Sequence, residues 1–311
     1  MSRIYEALQK AESEKNVERQ AGEPRRPVED QVNAPVTATL PYEAPPAFTG
    51  VAVDEPVIPH EVGGGLNLGA VARLPWNPAI DRLPALLERG PAVEQFRSLR
   101  SRVYEARDIR PIKSIMVSSG LPQEGKSFVS ANLAVSLARH KSSKVLLIDG
   151  DMRRYTLHEL LGTESHPGLA EYLAGKATPE QVMQRMAETS APDSTSHILS
   201  NLTFIPGGNG GDKAADLSGN VRFGELLRLA APYFDWIIVD SSPVVPVSDG
   251  VNLARSCDGV LLVARAGVTK YAVAQRAAAE LRSANVLGFV LNAVVESPQT
   301  SSYYGYNANK E

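Results

Sequence analysis

The chain has 311 residues, 43% of them hydrophobic, with 32 Lys and Arg against 35 Asp and Glu for a net charge of −3. That balance excludes a protein that coats nucleic acid, because such proteins carry a basic excess. The single cysteine, Cys257, excludes an intramolecular disulfide framework and a cysteine-rich zinc site.

No apolar run approaches the ~18 residues needed to cross a bilayer, and Met1-Ser2-Arg3-Ile4-Tyr5-Glu6 lacks the apolar core of a secretory signal. The expected location is therefore cytoplasmic, with any membrane contact made through a partner. In residues 1–16, Ile4, Leu8 and Ala11 recur at helical spacing opposite Glu6, Gln9, Lys10 and Glu12. This predicts a short amphipathic helix, which is either a frayed end or a peptide that folds on a partner. Residues 17–91 are rich in proline, show no apolar periodicity and contain Gly63-Gly64-Gly65. They are expected to form a disordered linker, since such a segment cannot bury enough surface to offset its ordering entropy. From about 91 to 106, Val93, Phe96, Leu99 and Val103 form a helical stripe. Glu94 and Arg97 lie three apart off that stripe, so they can pair along the helix or reach a neighbouring subunit.

Beyond residue 112 the pattern changes. Ile115–Ser118, Val145–Ile148, Leu202–Ile205, Trp236–Val239, Val260–Ala264 and Val286–Leu291 read as buried strands. Helical stretches are expected near 126–140, 156–162, 179–188, 221–231 and 269–283. Continuous apolar strands separated by helices predict an α/β domain over 92–296, a doubly wound and mostly parallel sheet covered on both faces. Residues 297–311 are expected to form a flexible tail.

The first strand leads into Gly120-Leu121-Pro122-Gln123-Glu124-Gly125-Lys126-Ser127, followed by Phe128 and a helical pattern. This is the phosphate-loop spacing GxxxxGK[ST] in its proper strand–loop–helix setting. The loop can turn its amides toward phosphate, Gly125 permits close approach, Lys126 reaches the outer phosphates, and the Ser127 hydroxyl can ligate Mg²⁺. Two further strands end in Asp149-Gly150-Asp151 and Asp240. In a doubly wound sheet, ligands bind beyond the carboxyl ends of the strands, so these three carboxylates are expected beside Lys126. There they can hold Mg²⁺ or accept a proton from a nucleophile. Arg153 and Arg154 are either a solvated pair or contacts to phosphate or a neighbour. Spacing alone assigns no role to Asp249 or Arg265.

Taken together, the loop at 120–127, the run Asp149-Gly150-Asp151-Met152-Arg153-Arg154, the segment Asp240-Ser241-Ser242-Pro243 and the helix Glu94-Gln95-Phe96-Arg97-Ser98-Leu99-Arg100 resemble the bacterial tyrosine kinases. These are autokinases of capsule and exopolysaccharide export, related to the MinD/ParA ATPases. The opening Ser2-Arg3-Ile4-Tyr5-Glu6-Ala7-Leu8 is similar to the subgroup found with exosortase-linked loci. The resemblance implies a P-loop fold of the MinD/ParA type that uses ATP and Mg²⁺. It implies that Gly120, Gln123, Glu124, Gly125, Lys126, Ser127 and Phe128 hold the phosphates and that Asn292 contacts adenine. Asp149 would activate the tyrosine hydroxyl, with Lys126 and Asp151 as its catalytic companions, and Ser127, Asp151 and Asp240 would organise the metal. Glu94 and Arg97 would assemble a ring whose subunits present Tyr303, Tyr304 and Tyr306 to one another. The resemblance also implies a separate integral membrane activator, a chain-length regulator, which would bring the protein to the inner face of the membrane. Two other readings stand beside it: a MinD/ParA-like positioning ATPase, and a non-catalytic nucleotide-binding regulator.

Overall fold

The computed structural model describes residues 65–295, except 141 and 189–193. The expected helix at 1–16, most of the linker and the tyrosine-bearing tail therefore lie outside the described residues. Within them, eight strands form one sheet in the order β1-β4-β5-β3-β6-β2-β7-β8. The strands are β1 (Ala72–Leu74), β2 (Ser114–Ser119), β3 (Val145–Asp149), β4 (Gln184–Met186), β5 (Leu202–Ile205), β6 (Trp236–Asp240), β7 (Gly259–Arg265) and β8 (Val286–Asn292). Every pairing is parallel except that of β4 with β5. The main helices are α1 (Pro91–Ile109), α2 (Lys126–Ala138), α3 (Leu157–Leu161), α4 (Leu169–Leu173), α5 (Pro179–Val182), α6 (Ser194–Leu199), α7 (Ala214–Ser218), α8 (Arg222–Ala230), α9 (Asp249–Ala254) and α10 (Tyr271–Glu280).

The strands read as unbroken apolar runs because both of their faces are covered. Ile115, Val117, Val145, Leu147, Trp236 and Ile238 point to one face and meet Phe96 and Val103 of α1 and Val129, Leu133 and Leu137 of α2. Met116, Leu146, Ile148, Ile237 and Val239 point to the other and meet Leu226 and Ala230 of α8 and Leu253 of α9. This alternation with period two is what a pleated strand imposes on consecutive side chains. Complete burial of each such side chain stabilises the fold by about 1.5–3 kcal/mol.

Two expectations need correction. The linker was expected to be disordered through residue 91, but its last part belongs to the folded body. Leu66, Val71, Leu83, Ala85 and Leu86 are buried, and β1 pairs with β4. Proline spacing hides this order because the segment uses short turns and side-chain bonds in place of long periodic elements. The Asn132 side chain, fully buried in α2, accepts from the Ala85 amide at 3.0 Å and donates to the Arg82 carbonyl at 3.2 Å. The helix expected over 179–188 ends at Val182, where Gln184–Met186 leaves as β4. Tertiary pairing overrides local propensity at that point: Gln184 lies opposite Phe204 of β5, and its side chain accepts from the Thr163 hydroxyl at 2.9 Å.

Candidate active site

The strands β3, β6 and β2 lie side by side at the centre of the sheet. Their carboxyl ends carry Asp149, Asp240 and the phosphate loop. The chain runs from β2 through α2 to β3, yet β6 lies between those two strands. This reversal in strand order opens the crevice in which α/β sheets bind ligands.

The loop is held in a shape that few residues accept. Gly125 has φ +96°, and an added Cβ there would fall 2.0 Å from Asn292 Nδ2. Gln123 also has a positive φ, +65°. The first helical bond of α2 runs from the Val129 amide to the Gly125 carbonyl at 2.9 Å. The amides of Lys126, Ser127 and Phe128 precede it, so they have no helical acceptor. They join the positive end of the helix dipole in facing the loop, which makes an anion cradle. The Phe128 ring turns away and meets Phe96 edge-on at 5.7 Å.

Lys126 closes the opposite side of the cradle. Its Nζ lies 2.8 Å from Asp151 Oδ2, 3.6 Å from Asp240 Oδ2 and 3.2 Å from Ser127 Oγ. Burial works against the lysine charge, but Asp240 and Asp151 outweigh it and hold the ammonium above its ordinary range. Asp240 accepts from the Ser130 hydroxyl at 3.1 Å and is also hydrogen-bonded to Ser127. Asp151 accepts from the Ser242 hydroxyl at 2.9 Å. Asp149 and Asp240 are register partners across β3 and β6. Asp149 is fully buried and accepts from the amides of Asp151 at 3.2 Å and Leu157 at 3.1 Å. Burial, reinforced by Asp240, pushes the Asp149 carboxyl well above the usual carboxylate range. Burial also raises Asp240, although Lys126 pulls it the other way.

The expected cluster thus converges: Lys126, Ser127, Asp149, Asp151 and Asp240 meet at one end of the sheet. Asn292, at the end of β8, donates to the Glu124 carbonyl at 3.0 Å and so borders the loop. Gly120 is pressed against α10, where an added Cβ would meet Val273 at 2.8 Å. The Glu124 carboxylate accepts from the Leu121 amide at 2.8 Å and from the Thr269 hydroxyl, which directs it into the loop's own scaffold. Glu94 and Arg97 form an ion pair within α1 at 2.5 Å. Arg153 reaches the buried Asp249 at 2.6 Å, while the Arg154 side chain is exposed. Sequence reasoning did not single out Ser130 or Thr269, and it met Ser242 only within the run Asp240-Ser241-Ser242-Pro243, with no role assigned. Each is a small hydroxyl residue whose value depends on a carboxylate brought close by the fold, and no spacing rule marks such a pair.

The donors fit a nucleotide with a hard cation. They are oxygens and one ammonium, set beside the amides of Lys126, Ser127 and Phe128. Among the described residues no group of three or more His, Cys, Asp or Glu is arranged to hold a metal. Mg²⁺ takes few protein ligands and draws the rest from phosphate and water, so the Ser127 hydroxyl and the Asp151 and Asp240 carboxylates would suffice to hold it.

These features define a P-loop nucleotide-binding protein. In agreement, the CobQ/CobB/MinD/ParA nucleotide binding domain, CbiA, matches residues 115–308. The chain is 33% identical over 220 residues to the tyrosine-protein kinase YwqD of Bacillus subtilis (strain 168), covering 70% of this chain and 87% of that one. It is 32% identical over 218 residues to the tyrosine-protein kinase wzc of Salmonella typhimurium (strain LT2), covering 69% of this chain but only 28% of that longer protein. The kinase domain of the Escherichia coli tyrosine kinase ETK superposes with a TM-score of 0.63 at 30% identity, covering 76% of this chain and 93% of that domain. The chain belongs to the bacterial tyrosine-protein kinases, a branch of the CobQ/CobB/MinD/ParA nucleotide-binding family.

Proposed function

We propose that the chain is an ATP-dependent protein-tyrosine kinase that phosphorylates Tyr303, Tyr304 and Tyr306 of neighbouring copies. The observation that carries this reading is the placement of Lys126 between Asp151 and Asp240 at the mouth of the phosphate loop. Phosphoryl transfer asks for alignment and charge neutralisation more than for covalent chemistry. The loop amides and Lys126 bind the phosphates, and Ser127, Asp151 and Asp240 would hold Mg²⁺. When bound, Mg²⁺ supplies further neutralisation of the phosphate oxygens. Asp149 is the proton acceptor for the tyrosine hydroxyl. Its raised affinity for a proton suits that task, and each of its oxygens keeps a lone pair beyond the amide bond it accepts.

Glu94 and Arg97 contribute to a homo-oligomeric ring, with transfer between subunits. Each tail phosphate adds about −1.5 to −2 charges, which repel one another and the acidic site and release the tail. The resulting cycle of assembly and release regulates exopolysaccharide or capsule polymerisation and export. Among the described residues no helix is long and apolar enough to cross a membrane. In this reading a separate membrane activator brings the chain to the inner face of the membrane, and the segment 1–16 provides a second contact.

The test is a phosphotyrosine blot of the wild type, Lys126→Met and the triple Phe variant of Tyr303, Tyr304 and Tyr306, with and without the membrane partner. Signal in the wild type alone supports the reading. Undiminished signal in the triple variant removes the tail from the mechanism. ATP hydrolysis with no phosphotyrosine would indicate a positioning ATPase, and nucleotide binding without turnover would indicate a regulator.

A further inference from the structure

We propose that Thr269, Glu124 and Asn292 form a brace that keeps the phosphate loop in its anion-accepting shape. The proposal rests on the nucleotide-binding reading of the site and assigns three positioning residues within it.

Glu124 is 4% exposed. A carboxylate this buried is tolerated only where hydrogen bonds replace its water. Among the described residues it has no cationic partner. Its oxygens take the Leu121 amide at 2.8 Å and the Thr269 hydroxyl. Thr269 Oγ1 in turn accepts from the Arg265 amide at 2.8 Å, at the carboxyl end of β7. Its single proton is therefore committed to Glu124. On the other side, Asn292 at the end of β8 donates to the Glu124 main-chain carbonyl at 3.0 Å. One residue of the loop is thus fastened by its side chain to β7 and by its backbone to β8.

The fastened residue sits between the two positive-φ positions of the loop, Gln123 and Gly125. Backbone in that region persists only where its surroundings over-determine it. The brace supplies that determination, and it acts on the phosphate cradle from outside, without touching phosphate. Asn292 is thereby assigned a task in the loop itself, distinct from the adenine contact that the family resemblance implies. A side chain that only reads adenine would leave the cradle unchanged when removed, whereas a member of the brace would not.

The test uses the full chain and isothermal titration calorimetry with two ligands, ATP and inorganic tripolyphosphate, which has no base. Thr269→Val is nearly isosteric and removes the hydroxyl at a half-buried position. It is expected to weaken both ligands by roughly tenfold, the scale of one hydrogen bond to a charged group, and Thr269→Ser is expected to restore both. Asn292→Ala is expected to weaken tripolyphosphate as well as ATP. The brace is refuted if Thr269→Val binds both ligands as the wild type does, if Thr269→Ser fails to rescue, or if Asn292→Ala weakens ATP alone. A wild type that binds neither ligand would sink the nucleotide reading and the brace together, which separates that failure from the others.

Discussion

Lys126 Nζ lies 2.8 Å from Asp151 Oδ2, with both side chains nearly enclosed. Within the chain itself, the lysine that faces phosphate in a loaded P-loop site also serves as counter-ion to the acidic cluster. On the proposed reading, an arriving nucleotide would exchange this internal pairing for its own, bringing phosphate for the lysine and a cation for the aspartates.

Removing the ammonium should leave the cluster uncompensated. Lys126→Met is expected to abolish ATP binding and to destabilise the fold by about 3–5 kcal/mol near neutral pH, the cost of breaking one side of a buried pair. Urea denaturation should show this loss shrinking in acid, where the carboxylates take up protons. An equal loss at both pH values would contradict the account.

Asp240 gives a test of opposite sign. Its folded-state pKa is raised by burial, against the pull of Lys126. A raised carboxyl contributes stability below its unfolded value, about 3.9. That contribution is lost as pH rises through the folded value. Asp240→Asn carries no such loss, and its amide can still meet Ser130 and Lys126. In the absence of nucleotide, the variant should gain on the wild type as the pH rises from about 4 toward 8, starting from that unfolded carboxylate value. Melting temperatures across this range provide the measurement, and a gap that is flat or moves in favour of the wild type would overturn it.

Leu83 tests the boundary of the folded body. It is fully buried, in the segment whose composition reads as linker. Leu83→Ala should cost about 2–5 kcal/mol in chemical denaturation, as a core truncation does. A change under 0.5 kcal/mol, the usual limit for surface substitutions, would show that this stretch is only laid against the domain.

The contrast between Leu83 and Lys126 shows what the sequence could reveal. The phosphate loop and the two aspartate-ended strands were legible because their chemistry requires fixed residue types at fixed spacing, and six of the eight strands announced themselves as apolar runs. β1 and β4 did not, since each has three residues and takes its conformation from its neighbours. The pairings of Ser130 with Asp240, Ser242 with Asp151 and Thr269 with Glu124 join residues 91 to 145 positions apart. No local pattern encodes such meetings; the topology creates them. Arg153 is a similar case, because its partner Asp249 lies on a helix that the apolar pattern left unmarked.

Asp149 and Asp240 occupy matching positions on adjoining strands. Their separation is consequently set by the repeat of the backbone ladder, and side-chain torsions make only a small adjustment. A slip of one residue between β3 and β6 would turn one carboxylate toward the opposite face of the sheet. The hydrogen-bonded ladder is therefore the ruler of this site, graduated in whole residues, and its divisions belong to the backbone.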